Sequence, residues 1–140
     1  MESKIFALSE IGQLARALIG MLKERKIIAF YGGLGAGKTT LIRTLCAALG
    51  SKDTVTSPTF NYLNIYRAAD GSAIYHFDLY RLKTLESFYD LGFADYLQSE
   101  KGCACIEWPE IIEPILPPHT IRVTLDLDKN DPNKRAITVR

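Results

Sequence analysis

The run Gly32-Gly33-Leu34-Gly35-Ala36-Gly37-Lys38-Thr39 has the residue types and spacing of a phosphate-binding loop: a glycine, four residues, then Gly-Lys-Thr. Glycines let the backbone curl until successive amide N–H groups of Gly35, Ala36 and Gly37 converge on phosphate oxygens. A helix that begins near Lys38 and runs on through Thr40 adds the positive end of its dipole. The Lys38 ammonium is suited to the β- and γ-phosphates, and the Thr39 hydroxyl to a Mg2+ ligand. The chemistry expected is the binding of a magnesium nucleoside triphosphate, followed by phosphoryl transfer or hydrolysis.

Such a loop needs a carboxylate across the site to hold magnesium, directly or through water. Two candidates stand just after short apolar runs: Asp78 follows Ile74-Tyr75-His76-Phe77, and Glu107 follows Cys105-Ile106. Ligands of open α/β sheets gather at the carboxyl ends of the strands, so both acids are placed to face a nucleotide. Glu107 either supports the metal or orients the attacking water as a base, and spacing leaves both roles open. Thr56-Ser57-Pro58-Thr59 reads two ways. Its hydroxyls suit a loop that orders and relaxes with the γ-phosphate, and they equally suit an ordinary polar turn. His76 alternates with Phe77 and reads as a core or supporting residue rather than a base. Arg81 stays open between structure, phosphate and partner, and Trp108 between core and contact surface.

The elements that must position these residues follow from periodicity. Apolar residues at Ile11, Leu14, Ala15, Leu18, Ile19 and Leu22 have helical spacing, with Ser9 ahead of them as the expected cap. Residues 27–31 form a continuous apolar run, as in a strand buried on both faces. Thr39 to Leu49 predicts a second helix, ended by Gly50. Phe60 to Tyr66 and Ala73 to Phe77 predict strands joined by an Asp70-Gly71 hairpin turn. Thr84 to Tyr96 predicts a helix, with Gly92 blurring its end. Cys103 to Ile106, Thr120 to Leu127 and Arg135 to Val139 predict three more strands. This order implies an α/β fold: a P-loop NTPase-like three-layer domain with a central, mostly parallel sheet extended by antiparallel strands.

Composition agrees with a single domain over residues 1–140. Hydrophobic residues make up 47% and charged residues 24% of the 140, the balance of a folded globular chain rather than a disordered one. Seventeen basic against sixteen acidic residues leave a net charge of +1, which argues against gripping nucleic acid by phosphate charge alone. The three cysteines, Cys46, Cys103 and Cys105, read as reduced thiols, and Cys103-Ala104-Cys105 lacks the spacing of a zinc knuckle. No apolar run is long enough to span a membrane, and Met1-Glu2-Ser3-Lys4 lacks the basic start of an export signal. The expectation is a cytoplasmic protein with no membrane contact.

Four ordered elements together resemble the bacterial TsaE (YjeE) family over nearly the whole chain. They are Gly32 to Thr40, Thr56-Ser57-Pro58-Thr59-Phe60, His76-Phe77-Asp78-Leu79-Tyr80-Arg81-Leu82 and Ile106-Glu107-Trp108-Pro109-Glu110. The resemblance implies a slow Mg2+-dependent ATPase that acts with the TsaB–TsaD heterodimer. That machinery forms the threonylcarbamoyl group on adenosine 37 of tRNAs reading codons that start with A. TsaD would carry out the transfer, and tRNA would be met only through the complex. By the same resemblance Lys38, Asp78 and Glu107 form the catalytic set, and Thr39, Asp78 and Glu107 the metal set. The adenine side would be approached by Ser9, with Lys134 or Arg135. The chain departs from the family at Gly33, where members often carry an acidic residue, and its tail around residues 133–135 is only loosely alike.

Two other functions use the same loop. A small-molecule kinase needs a substrate pocket and a lid whose arginines close over the phosphoryl group. After Arg81 this chain has only Arg122, Arg135 and Arg140, with no paired-arginine segment. A nucleotide-gated binding module, in which turnover is incidental, needs only the switch loop. A GTPase fits less well, because Asn133-Lys134-Arg135-Ala136 lacks the aspartate of a guanine-reading motif.

Overall fold

The computed structural model describes residues 2–140. Seven strands form one sheet: β1 (Glu2–Ala7), β2 (Ile27–Tyr31), β3 (Leu63–Arg67), β4 (Ala73–Asp78), β5 (Gly102–Glu107), β6 (Ile121–Leu127) and β7 (Lys134–Val139). Their spatial order is β1-β7-β6-β2-β5-β4-β3. The four central strands β6, β2, β5 and β4 are parallel, while β3 and the pair β7–β1 add to the two sides antiparallel. This is the expected mostly parallel sheet with antiparallel extensions.

Alternation along the central strands feeds two cores. Ile28 and Phe30 of β2 face α1 (Ile11–Arg25) and α2 (Lys38–Ala48), where Leu14, Leu18, Leu41 and Leu45 pack on them. Ile27 and Ala29 face the opposite layer, built from α3 (Leu85–Asp90) and two 3-10 segments, Phe93–Gln98 and Pro109–Ile115. In that layer Phe88 is fully buried, with ring centroids 5.8 Å from Phe77 and 5.6 Å from Phe93. The same period of two decides where the acids point. His76, Asp78, Cys105 and Glu107 share the α1/α2 side, and Asp78 pairs in register with Glu107 across β4–β5. Phe30, the penultimate residue of β2, pairs with Glu107 from the other side. The strand leading to the phosphate loop and both strand-end acids therefore finish side by side.

Several elements differ from their sequence expectation. Ser9 does not cap α1: it lies in a 3-10 turn, Leu8–Glu10, and Glu10 takes the cap position without a side-chain bond to the helix amides. Glu10 Oε1 accepts instead from the Ala7 N–H at 2.9 Å. The predicted strand from Phe60 starts only at Leu63. Residues 60 and 61 form a turn, and Tyr62 adopts φ +65° while its N–H donates to the Pro58 carbonyl at 2.9 Å. The predicted helix from Thr84 to Tyr96 breaks at Gly92, which takes φ +77° and separates α3 from a 3-10 segment. Thr84 does cap α3, accepting from the Ser87 N–H at 3.0 Å. Strand β1 and the segment Pro109–Ile115 were not expected from local pattern. No helix among the described residues is long and apolar enough to cross a membrane.

Phe88 closes the layer beneath β4 and β5, so Phe88→Ala should lower the unfolding free energy by about 3–5 kcal/mol. Urea denaturation at unchanged m-value measures this, and a loss under about 1 kcal/mol would contradict the packing described.

Candidate functional site

The phosphate loop spans from the end of β2 to the start of α2 and lines a cleft of about 380 Å³. Gly35, Ala36, Gly37, Lys38, Thr39, Thr40, Asp78, Glu107 and Arg135 all line it. Ser9 does not; its neighbour Leu8 does, carried there by β1. Gly37 adopts φ +102° at the start of α2 and has no side chain to cap the first amides of that helix. A nucleotide's anionic groups are suited to this end of the helix dipole.

Lys38 is only 5% exposed. Its ammonium stands 3.4 Å from the centroid of the Trp108 ring and donates to the Gly32 carbonyl oxygen. Burial pushes its pKa below the ordinary lysine value, and the negative charges of Glu107, Glu110 and Asp78 act in the opposite direction. Trp108 holds this position with φ 56° and ψ 56°, a left-handed conformation that bulky residues rarely adopt. Strained backbone of this kind concentrates at functional sites. Trp108 also packs on Tyr80, with centroids 4.8 Å apart. It stands in neither core cluster and lines the cleft instead.

The two acids are held by different partners. Glu107 is 3% exposed, and its Oε1 accepts from the Thr39 hydroxyl at 2.9 Å. Its Oε2 lies 2.6 Å from His76 Nε2. Asp78 accepts from the Ser57 hydroxyl at 2.9 Å and from the Tyr80 N–H at 3.0 Å. Arg135 donates to the Ala36 carbonyl at 2.8 Å, tying β7 to the phosphate loop, while Lys134 is exposed and does not line the cleft. Arg81 lies away from the lining residues, with its guanidinium carbon 5.1 Å from the Phe60 centroid.

The oxygen donors of Thr39, Asp78 and Glu107 are hard ligands of the kind Mg2+ takes. Among the described residues no cluster of three or more His, Cys, Asp and Glu side chains is placed to hold a metal ion. A magnesium site here would therefore combine the hydroxyl, the two acids and the phosphates themselves. The cysteines offer no competing chemistry. Burial pushes Cys46 up to about 12 and Cys103 up to about 11, and holds Cys105 well above its ordinary value. All three stay neutral thiols near pH 7.

Sequence reasoning singled out residues 35–40, Asp78 and Glu107, which the structure gathers at one cleft, because their signals are local. It missed Leu8 and Tyr66. Leu8 depends on β1, whose partner β7 lies at the far end of the chain. Tyr66 bonds the His76 ring across the β3–β4 hairpin, and only the register of that hairpin reveals the pairing.

Comparison with known proteins gives a consistent result. The family model for "Threonylcarbamoyl adenosine biosynthesis protein TsaE" matches residues 6–137. A Rickettsia conorii protein named tRNA threonylcarbamoyladenosine biosynthesis protein TsaE is 41% identical over 131 residues, covering 93% of this chain and 72% of the relative. A Haemophilus influenzae protein of the same name is 39% identical over 123 residues, 86% of this chain and 77% of the relative. The crystal structure of YdiB from Bacillus subtilis superposes with a TM-score of 0.67 at 24% identity, covering 99% of this chain and 84% of that one. That likeness shows a shared fold.

The loop geometry separates its first two glycines. At Gly32, φ is +150° and a Cβ would meet the Leu125 carbonyl oxygen at 2.5 Å; at Gly33 a Cβ meets nothing within 4 Å. Gly32→Ala should cost about 2 kcal/mol or more, and Gly33→Ala no more than about 0.5 kcal/mol. Equal losses in urea denaturation would contradict this geometry.

Proposed function

The chain belongs to the TsaE family of tRNA threonylcarbamoyladenosine biosynthesis proteins, and from that membership we propose that it is a magnesium-dependent ATP-binding protein and slow ATPase. In this reading it works in the cytoplasm with TsaB and TsaD, supporting formation of the threonylcarbamoyl group on adenosine 37 of tRNAs that read codons starting with A. One observation carries the nucleotide part of the reading. A phosphate-loop lysine and hydroxyl share one cleft with two strand-end carboxylates set in register on adjacent strands.

Each residue has a task that its surroundings support. The Lys38 ammonium meets the Trp108 ring and the Gly32 carbonyl. A phosphate would compete with them for the same ammonium and gain a stronger, charge-assisted bond. Thr39 donates its proton to Glu107, which leaves the hydroxyl lone pairs for a metal. Asp78, fixed by Ser57 and the Tyr80 N–H, faces the same space. Mg2+, when bound, neutralises charge on the β- and γ-phosphates. Glu107 is immobilised through both oxygens, an arrangement suited to fixing the metal shell or the attacking water without reorganisation. Arg135 braces the loop through Ala36 and lines the cleft, and family membership supports giving it the adenine side of the nucleotide.

Steady-state ATP hydrolysis with Mg2+ should be slow for the chain alone and rise when TsaB, TsaD and tRNA are added. Lys38→Ala should lose ATP binding. Glu107→Gln should keep ATP binding and lower hydrolysis about tenfold or more, the equivalent of ~1.4 kcal/mol in the barrier. Wild-type behaviour of Lys38→Ala in both assays would overturn the nucleotide site. Absence of any stimulation by the TsaB–TsaD pair would overturn the partner reading.

A further inference from the structure

A chain of side-chain hydrogen bonds runs through the interior from the cleft to the loop of residues 54–59. It starts at Glu107 Oε2, 2.6 Å from His76 Nε2. His76 Nδ1 lies 2.9 Å from the Tyr66 hydroxyl. That hydroxyl lies 3.3 Å from the Thr56 N–H and 3.0 Å from the Thr56 carbonyl. His76 is 0% exposed and Tyr66 4%, so water is not there to substitute for a lost partner. Next along the loop, Ser57 is bonded to Asp78. Each acid of the cleft is thus connected to one residue of the same loop, Asp78 directly and Glu107 through two intermediaries.

The donors along this chain take a single direction. Glu107 is an acceptor, so His76 presents Nε2–H to it and leaves Nδ1 as an acceptor. Nδ1 at 2.9 Å and the Thr56 carbonyl at 3.0 Å are then both acceptors for the one Tyr66 proton, and the Tyr66 oxygen accepts from the Thr56 N–H at 3.3 Å. Asn64, 3.2 Å from the Thr56 carbonyl, supplies that carbonyl with a donor. Burial pushes the Tyr66 pKa above its ordinary value, against the opposing bonds from Asn64 and Thr56, so the proton this arrangement needs is in place. Hydrogen bonds lined up head to tail polarise one another, and here the series ends on a carboxylate. Altering the charge that Glu107 offers therefore alters the hold on Thr56 at the other end.

We propose that His76 and Tyr66 are positioning residues that couple Glu107 to the seating of the 54–59 loop, so that this loop responds to what occupies the cleft. The inference rests on the nucleotide reading of the cleft for its purpose. The coupling itself resides in the chain's own residues and is measurable without nucleotide.

The test is amide hydrogen exchange at Thr56 in the protein alone, for wild type, Tyr66→Phe, His76→Gln and Glu107→Gln. His76 touches no loop residue in this structure; in His76→Gln the amide nitrogen, at the place of Nε2, can still donate to Glu107, while no acceptor stands at the place of Nδ1. Tyr66→Phe removes the acceptor of the Thr56 N–H and should speed exchange at Thr56 by about fivefold, the factor expected for one ordinary net hydrogen bond. His76→Gln and Glu107→Gln weaken the series without removing that bond and should speed it by less, about 1.5- to 2-fold. Exchange in α1 and β2 should be unchanged. Tyr66→Phe combined with His76→Gln should be no faster than Tyr66→Phe alone, because His76 reaches Thr56 only through Tyr66. In hydrolysis assays both single variants should lower kcat and leave KM for ATP within about twofold, since neither touches the phosphate loop. Unchanged Thr56 exchange in His76→Gln or Glu107→Gln, or additive effects in the double variant, would overturn the coupling. If His76→Gln did not fold, Glu107→Gln would decide from the far end of the series. Failure of the nucleotide reading shows separately, as absent ATP binding by wild type with the exchange pattern intact.

Discussion

A carboxylate buried at the end of a central strand is costly unless its charge is answered, and Glu107 is such a group. Its answer has three parts: the Thr39 hydroxyl on one oxygen, the His76 ring on the other, and the attraction of the Lys38 ammonium. The partners come from two pieces of the fold: Thr39 and Lys38 from the first turn of α2, His76 from the neighbouring strand β4. The carboxylate thus pins the phosphate loop to the sheet. Without the in-register finish of β2, β5 and β4, none of these bonds would form.

Other parts of the site are held away from their relaxed states. Lys38 is a buried cation whose pKa burial lowers, Trp108 stands in a left-handed conformation, and Gly32 passes so close to Leu125 that a methyl group would collide. Structure of this kind is kept in place by its surroundings. Here the surroundings are the two layers packed on the sheet, with the Phe77–Phe88–Phe93 cluster under the acid-bearing strands and the α1/α2 core under the phosphate loop. Rigid layers with a few strained residues at the carboxyl ends of the central strands are the preorganisation that the proposed nucleotide site needs.

Much of this was legible in the sequence, for local reasons. The phosphate loop announces itself through residue types at fixed spacing, and the apolar runs ending in Asp78 and Glu107 mark the strand ends. Helices α1 and α2 and the central strands follow from periods of 3.6 and 2. What stayed hidden depends on residues far apart in the chain. Strand β1 exists because Glu2 to Ala7 finds Val139 to Lys134, and it delivers Leu8, not Ser9, to the cleft. The apolar run at Phe60 looked like strand but turns, leaving Phe60 79% exposed. His76 could be read as a supporting residue, yet its link to Tyr66 required the hairpin register.

The most direct measurement uses Trp108, the single tryptophan of the chain. Its ring faces the Lys38 ammonium at 3.4 Å, and a phosphate held by Lys38 must disturb that contact. Titration with ATP and Mg2+ should therefore change tryptophan emission saturably, and the change should vanish in Lys38→Ala. No saturable change up to millimolar ATP, together with no binding by calorimetry, would contradict the claim that this cleft holds a magnesium nucleotide.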